Sequence, residues 1–213
     1  MTIDRIEQIR RSVIVLKCQI GDVAAWEELY RLYNPTLGYY LRRLTGRDQV
    51  ADDLQQETWL SVVRKIGGLK SPEAFTVWFY RIARNKVMTR LPAHHTDVTL
   101  VDEPVAATET SDDDTFSASD AALVHAGLAE LRPEHREVLL LRFMEELCYE
   151  QIAAVVGCDV GTVRSRIHYG KRALRRQLET NHVCNDPENR TVEPRRPTNP
   201  RGRSVTTARD PQG

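Results

Sequence analysis

The chain is predicted to be all-α, with two small helical domains joined by a flexible acidic linker and followed by a disordered C-terminal tail. Three observations lead there. Apolar residues recur at intervals of three and four through residues 22–91 and again through 120–180. Residues 149–176, YEQIAAVVGCDVGTVRSRIHYGKRALRR, read as helix, short turn, helix. Between the periodic regions, residues 93–119 are rich in Asp, Glu, Thr, Ser and Ala, with no basic residue and no sustained period. The expected boundaries are 1–91 for the first domain, 92–119 for the linker, 120–180 for the second domain and 181–213 for the tail.

Taken in order, residues 4–18 suit a helix with a loose apolar pattern. Asp22 is placed to cap the next helix, whose buried face is Trp26, Leu29, Tyr30 and Tyr33. Leu37, Tyr40, Leu41 and Leu44 continue that pattern around Pro35 until Thr45-Gly46 ends it. From Gln49 to Ile66 a further helix turns Ala51, Leu54, Thr58, Trp59, Val62 and Ile66 inward. Its opposite side gathers Asp53, Gln56, Glu57, Leu60 and Arg64. An acidic face with a Leu near its centre suits a basic partner surface with an apolar middle.

Ser71 and Pro72 open the helix that ends near Leu91, with Ser71 as cap and Pro72 at the first helical position. Phe75, Trp78, Phe79 and Ile82 form its core stripe. Tyr80, Arg81, Arg84 and Met88, flanked by Asn85, form the other face, a mixture suited to phosphates and unstacked bases. Helices near 120–131 and 133–144, the second opened by Pro133, lead into the helix-turn-helix, with Val138, Leu139, Leu141, Leu147 and Tyr149 as core.

In that motif Ile152, Val155 and Val156 mark the first helix, Gly157 suits its left-handed end, and Asp159 can cap the second. Val160, Val163, Ile167, Leu174 and Leu178 keep to one stripe of the second helix. Gly161, Thr162, Ser165, Tyr169, Arg172 and Arg176 lie on or near the opposite face, with Arg164 and His168 between. A recognition helix enters the major groove N-terminus first, so small residues there let it sink between the phosphates. Arg164 is placed to reach guanine edges, and Arg172, Arg175 and Arg176 to anchor phosphates.

Net charge is formally zero, yet it divides unevenly. Residues 1–90 hold fifteen Lys and Arg against ten Asp and Glu, whereas residues 91–120 hold none against eight. Local field governs groove binding more than the total does. No apolar run approaches the length of a membrane span and the N-terminus does not open as a secretory signal, so the expected location is cytoplasmic. The cysteines (Cys18, Cys148, Cys158, Cys184) form no C-x-x-C pair, and His94, His95 and Asp97 have no supporting ligands; no metal or cofactor is expected.

These pieces together resemble the extracytoplasmic-function (ECF) group of bacterial RNA polymerase sigma factors over residues 20–180. The run Asp52-Asp53-Leu54-Gln55-Gln56-Glu57-Thr58-Trp59 is similar to that group's region-two signature, as is the Phe75–Asn85 helix. Leu131–Val138 and Gly161-Thr162-Val163-Arg164-Ser165-Arg166 resemble region four. The resemblance implies a non-enzymatic factor that binds core RNA polymerase and promoter DNA. Asp53, Gln56, Glu57 and Leu60 would dock on the clamp helices of the largest subunit, and the second domain would meet the flap of the second-largest.

By the same resemblance Lys70, Ser71, Tyr80, Arg81, Arg84 and Asn85 would serve the minus-ten element. Gly161, Thr162, Arg164, Ser165, Arg166, His168, Arg172 and Arg176 would serve the minus-thirty-five element. An anti-sigma factor is a further partner it leaves room for. The chain departs from the family pattern at Thr89, usually Asp, at Leu91-Pro92, which cuts short a basic cluster, and at His168, often aromatic. The alternative reading, a stand-alone helix-turn-helix regulator, predicts DNA binding without polymerase. An enzyme acting on nucleic acid is disfavoured, because no carboxylate cluster, Ser/His/Asp set or phosphate-cradling Gly loop stands at workable spacing.

Overall fold

The computed structural model describes residues 2–91 and 121–185; the expectations for the linker, for His94, His95 and Asp97, and for most of the tail lie outside them. The described residues are helical in two groups. The first holds α1 (Thr2–Gln19), α2 (Val23–Thr45), α3 (Asp48–Lys65) and α4 (Phe75–Arg90). The second holds α5 (Ala121–Glu130), α6 (Pro133–Phe143), α7 (Tyr149–Val156) and α8 (Val160–Asn185).

Local signals set most helix ends. The Asp22 carboxylate accepts from Ala25 N at 3.2 Å, capping α2 as expected. Ser71 stands before the turn that leads into α4, yet its hydroxyl makes no cap bond; Pro72–Ala74 form a 3₁₀ turn there instead. Helix α2 runs unbroken through Pro35. Helix α3 grips that region: Gln55 Nε2 donates to Asn34 O at 2.8 Å, and Trp59 Nε1 to Asn34 Oδ1 at 3.1 Å. Helix α8 continues to Asn185, past the predicted end at 180, since no proline stands between Val160 and Pro187.

The core of the first group is aromatic. The ring of Phe79, fully buried, lies 5.2–5.5 Å from those of Tyr33, Trp59, Phe75 and Tyr80. In the second group α8 packs on α5, α6 and α7, with Val163, Ile167 and Leu174 buried. Two glycines permit close approach: a Cβ at Gly127 would stand 2.6 Å from Leu174 Cδ1, and one at Gly170 would stand 3.1 Å from Leu139 Cδ1 and 3.3 Å from His135 Cβ.

The expected faces of α4 are not the observed ones. Tyr80, assigned to the outer face of α4, is fully buried, while Trp78 and Ile82, assigned to the core, are only half-buried. The reason is tertiary: α7 packs along α4, and α6 along α2, so the second group covers the side of α4 that the first group leaves open.

Candidate functional site

The helix-turn-helix is built as its residues require. Gly157 adopts φ 72° and its N–H bonds to Ala153 O at 2.8 Å, closing α7 in the left-handed conformation that costs other residues strain. At the other end of α7 the Gln151 side chain accepts from Cys148 N at 2.9 Å. Val163, Ile167 and Leu174 face inward. The predicted recognition residues then divide. Gly161, Arg164, His168, Arg172 and Arg176 are exposed, and Thr162 and Ser165 are half-buried. The Ser165 hydroxyl donates to Thr162 O at 3.0 Å. Arg166 turns away from that group, with Nη1 3.9 Å from Cys158 Sγ in the turn. The exposed set forms a mainly basic ridge that can enter a groove and meet phosphates.

On the first group, Asp53, Gln56 and Leu60 are exposed on α3, with Glu57 half-buried beside them. The carboxylates are already bridged to α4: Arg90 reaches Asp53 at 3.1 Å and Glu57 at 3.0 Å, and Lys86 reaches Glu57 at 3.4 Å. Surface pairs of this kind contribute at most about 1 kcal/mol, so a basic partner can displace them. Sequence reasoning missed what lies beside this face. Val23, Trp26, Tyr30, Pro35, Trp59 and Val63 line an apolar groove between α2 and α3. Tyr30, placed in the buried face from periodicity, is half exposed.

The residues expected to serve the minus-ten element are also split. Lys70, Ser71, Arg81 and Asn85 are exposed. Tyr80 and Arg84 are held in the seam between the two groups. Arg84 Nε lies 2.8 Å from Glu137 Oε1, to which the Tyr40 hydroxyl also donates at 2.9 Å. Glu137 is 4 % exposed. The Tyr80 hydroxyl donates to Glu145 Oε1 at 2.5 Å and lies 3.0 Å from Thr36 Oγ1. Arg136 Nη1 donates to Arg43 O at 2.6 Å, and Tyr39 pairs with His125. Burial, then the neighbouring carboxylate, pushes both phenols well above their ordinary range, so each remains a proton donor. Burial likewise raises the Glu145 carboxyl, against the opposing effect of the Tyr80 hydrogen bond.

Comparison with known proteins decides the family. The family model for Sigma-70 region 2 matches residues 29–95, and that for Sigma-70 region 4 matches residues 121–174. The chain is 33 % identical over 178 residues to the RNA polymerase sigma-H factor of Pseudomonas aeruginosa, covering 78 % of this chain and 92 % of that one. It is 32 % identical over 164 residues to the ECF RNA polymerase sigma factor SigL of Mycobacterium tuberculosis, covering 75 % and 92 %. The chain belongs to the ECF group of sigma-70 factors. Among solved structures, the sigma factor RpoE of Bartonella quintana, crystallised with the anti-sigma factor NepR, shares the fold with a TM-score of 0.56 at 22 % identity, over 75 % of this chain and 99 % of that one.

Within this sigma factor the region-four ridge and the region-two acidic face are both accessible, whereas part of the region-two basic face is covered by region four. Among the described residues no helix is long and apolar enough to cross a membrane, and no His/Cys/Asp/Glu group is arranged to hold a metal.

The packing of α6 on α8 also carries a pH dependence. Burial, foremost, lowers the His135 pKa from its ordinary 6.5, with Arg132 and Arg166 adding to the effect and Glu134 opposing it. Folded region four thus holds His135 neutral more firmly than the unfolded chain does. Stability is full above about 6.5 and is lost as pH falls through that value toward the depressed folded one. Thermal melting should show this loss between neutral and mildly acidic buffer, and His135→Gln should flatten it. An unchanged slope in that variant would place its origin elsewhere.

Proposed function

We propose that this sigma factor divides its work between its two helical groups. Region two docks on core polymerase through Asp53, Gln56, Glu57 and Leu60. Lys70, Ser71, Arg81 and Asn85, joined by Tyr80 and Arg84 once the seam opens, receive the minus-ten strand. Region four reads the upstream duplex in the major groove through Arg164, Ser165 and His168, with Thr162 and Gly161 allowing close approach. Arg172 and Arg176 hold phosphates. The observation that carries this reading is the exposed basic ridge on α8, set on a helix-turn-helix within a sigma-family chain.

No catalytic step is needed. Unstacking a base costs a few kcal/mol, which stacking and hydrogen bonds in a pocket offset. Two sites on one chain raise each other's effective concentration, so neither must bind tightly alone. The factor acts where polymerase and chromosome are, in the cytoplasm. An anti-sigma protein, as NepR is to the Bartonella factor, fits as the partner that holds it inactive. Tyr80, being fully buried, cannot touch DNA while the groups stay closed, so separation of regions two and four precedes strand capture.

Run-off transcription with purified core polymerase on genomic fragments tests the whole. Defined start points that depend on the factor are expected; their absence discards the proposal. Within it, Arg164→Ala should cost about 1–3 kcal/mol at one base position of the upstream element, whereas Arg176→Ala should weaken all sequences alike. Competition binding against a panel of single-base variants separates the two. An unchanged preference in Arg164→Ala would remove that residue from the readout.

A further inference from the structure

Helix α1 has two apolar faces, and its own fold uses one. Ile14, Val15 and Cys18 are buried against the rest of region two, and Gln19 Nε2 donates to Ile66 O and Leu69 O at 2.8 and 2.7 Å. On the other side Ile6, Ile9, Val13 and Leu16, with Ile20 just past the helix end, stand 43–83 % exposed. Their spacing alternates three and four, which at about 100° per residue keeps them within a stripe roughly 80° wide. In heptad terms Ile6, Val13 and Ile20 fall at a, and Ile9 and Leu16 at d. That is a coiled-coil seam that no described residue fills, with β-branched residues at every a position. A helix apolar on both sides belongs in a larger assembly, and single exposed apolar residues do not align in this way.

The flanks say what kind of helix fits. The e and g positions are Arg5, Arg10, Ser12, Lys17 and Gln19, with no carboxylate among them. Arg10 leans on Glu28 at 2.6 Å and on Glu7 at 3.8 Å, while Arg5 and Lys17 are exposed. A second copy would bring no carboxylate to those flanks: in parallel it sets Arg5 against Arg10, and antiparallel it sets Arg10 against Lys17, with Arg10 already held by its own Glu28. We propose that the outward face of α1 is a docking seam for an amphipathic helix of another protein, with apolar residues at a and d and carboxylates on its flanks. This site lies apart from the acidic α3 face and from the DNA-reading ridge.

The test uses the full chain and two designed, fluorescently labelled peptides of repeated heptads with Ile at a and Leu at d. One carries Glu at every e and g position, the other Lys. By anisotropy at low salt, the Glu peptide should bind at least about tenfold tighter than the Lys peptide, with the difference shrinking as salt rises. An Ile9→Glu, Leu16→Glu double variant should lose the binding with an unchanged melting temperature, since both residues are exposed. Equal binding of the two peptides, binding of neither, or binding that survives the double variant overturns the proposal. So does sedimentation showing a dimer of the chain that the double variant dissociates, which would make a second copy the occupant.

Discussion

Glu137→Ala is expected to separate region four from region two. The carboxylate is almost fully buried and serves both the Arg84 guanidinium and the Tyr40 hydroxyl. Removing it strands a charge and a phenol inside the seam, and breaking one half of a buried pair costs about 3–5 kcal/mol. Two helical groups can each stay folded while parting, so the loss should appear as opening more than as unfolding. A donor and acceptor dye on the exposed Asp48 and Glu150 positions, each changed to Cys in a chain whose other cysteines are replaced, should report a longer distance in Glu137→Ala. Glu137→Gln, which keeps a neutral acceptor, should open it less. If both variants remain as closed as the parent, the pair does not hold the seam. Freed Tyr80 and Arg84 should also strengthen binding to a fork of promoter DNA with a single-stranded minus-ten segment.

The second large effect belongs to the core. Phe79→Ala should destabilise region two by about 3–5 kcal/mol, the range for emptying a buried aromatic site. Its ring touches Tyr33, Trp59, Phe75 and Tyr80, which come from α2, α3 and α4, and so cannot all collapse into the gap. Against a total of about 5–15 kcal/mol for an ordinary domain, this leaves little margin. Urea unfolding followed by Trp fluorescence should show the midpoint fall steeply. A shift near that of an exposed substitution would mean that Phe79 is not central.

Helix existence and most helix ends were legible, because their causes are local. Asp22, Gly157 and Pro133 act through backbone conformation and nearby hydrogen bonds, and need no distant partner. The burial of Val163, Ile167 and Leu174 followed from period alone. The face of α4 did not. Periodicity names two sides of a helix but not which neighbour covers them, so the sequence could not show that α7 would bury Tyr80. Nor could it show that Arg84, read as a phosphate contact, would meet Glu137 across more than fifty positions of chain.

Helix α1 shows the same limit from the opposite direction. Its apolar residues read as a loose pattern because two stripes, one inward and one outward, overlap in a single stretch. Only the packing of Ile14, Val15 and Cys18 separates them and leaves the heptad of Ile6 to Ile20 in view. By itself, then, the order of residues determined the helices, the helix-turn-helix and the family, since each rests on short-range spacing and residue type. The tertiary structure alone decided which basic and aromatic groups stand in solvent and which are shut in a seam, because burial is a property of the partner surface.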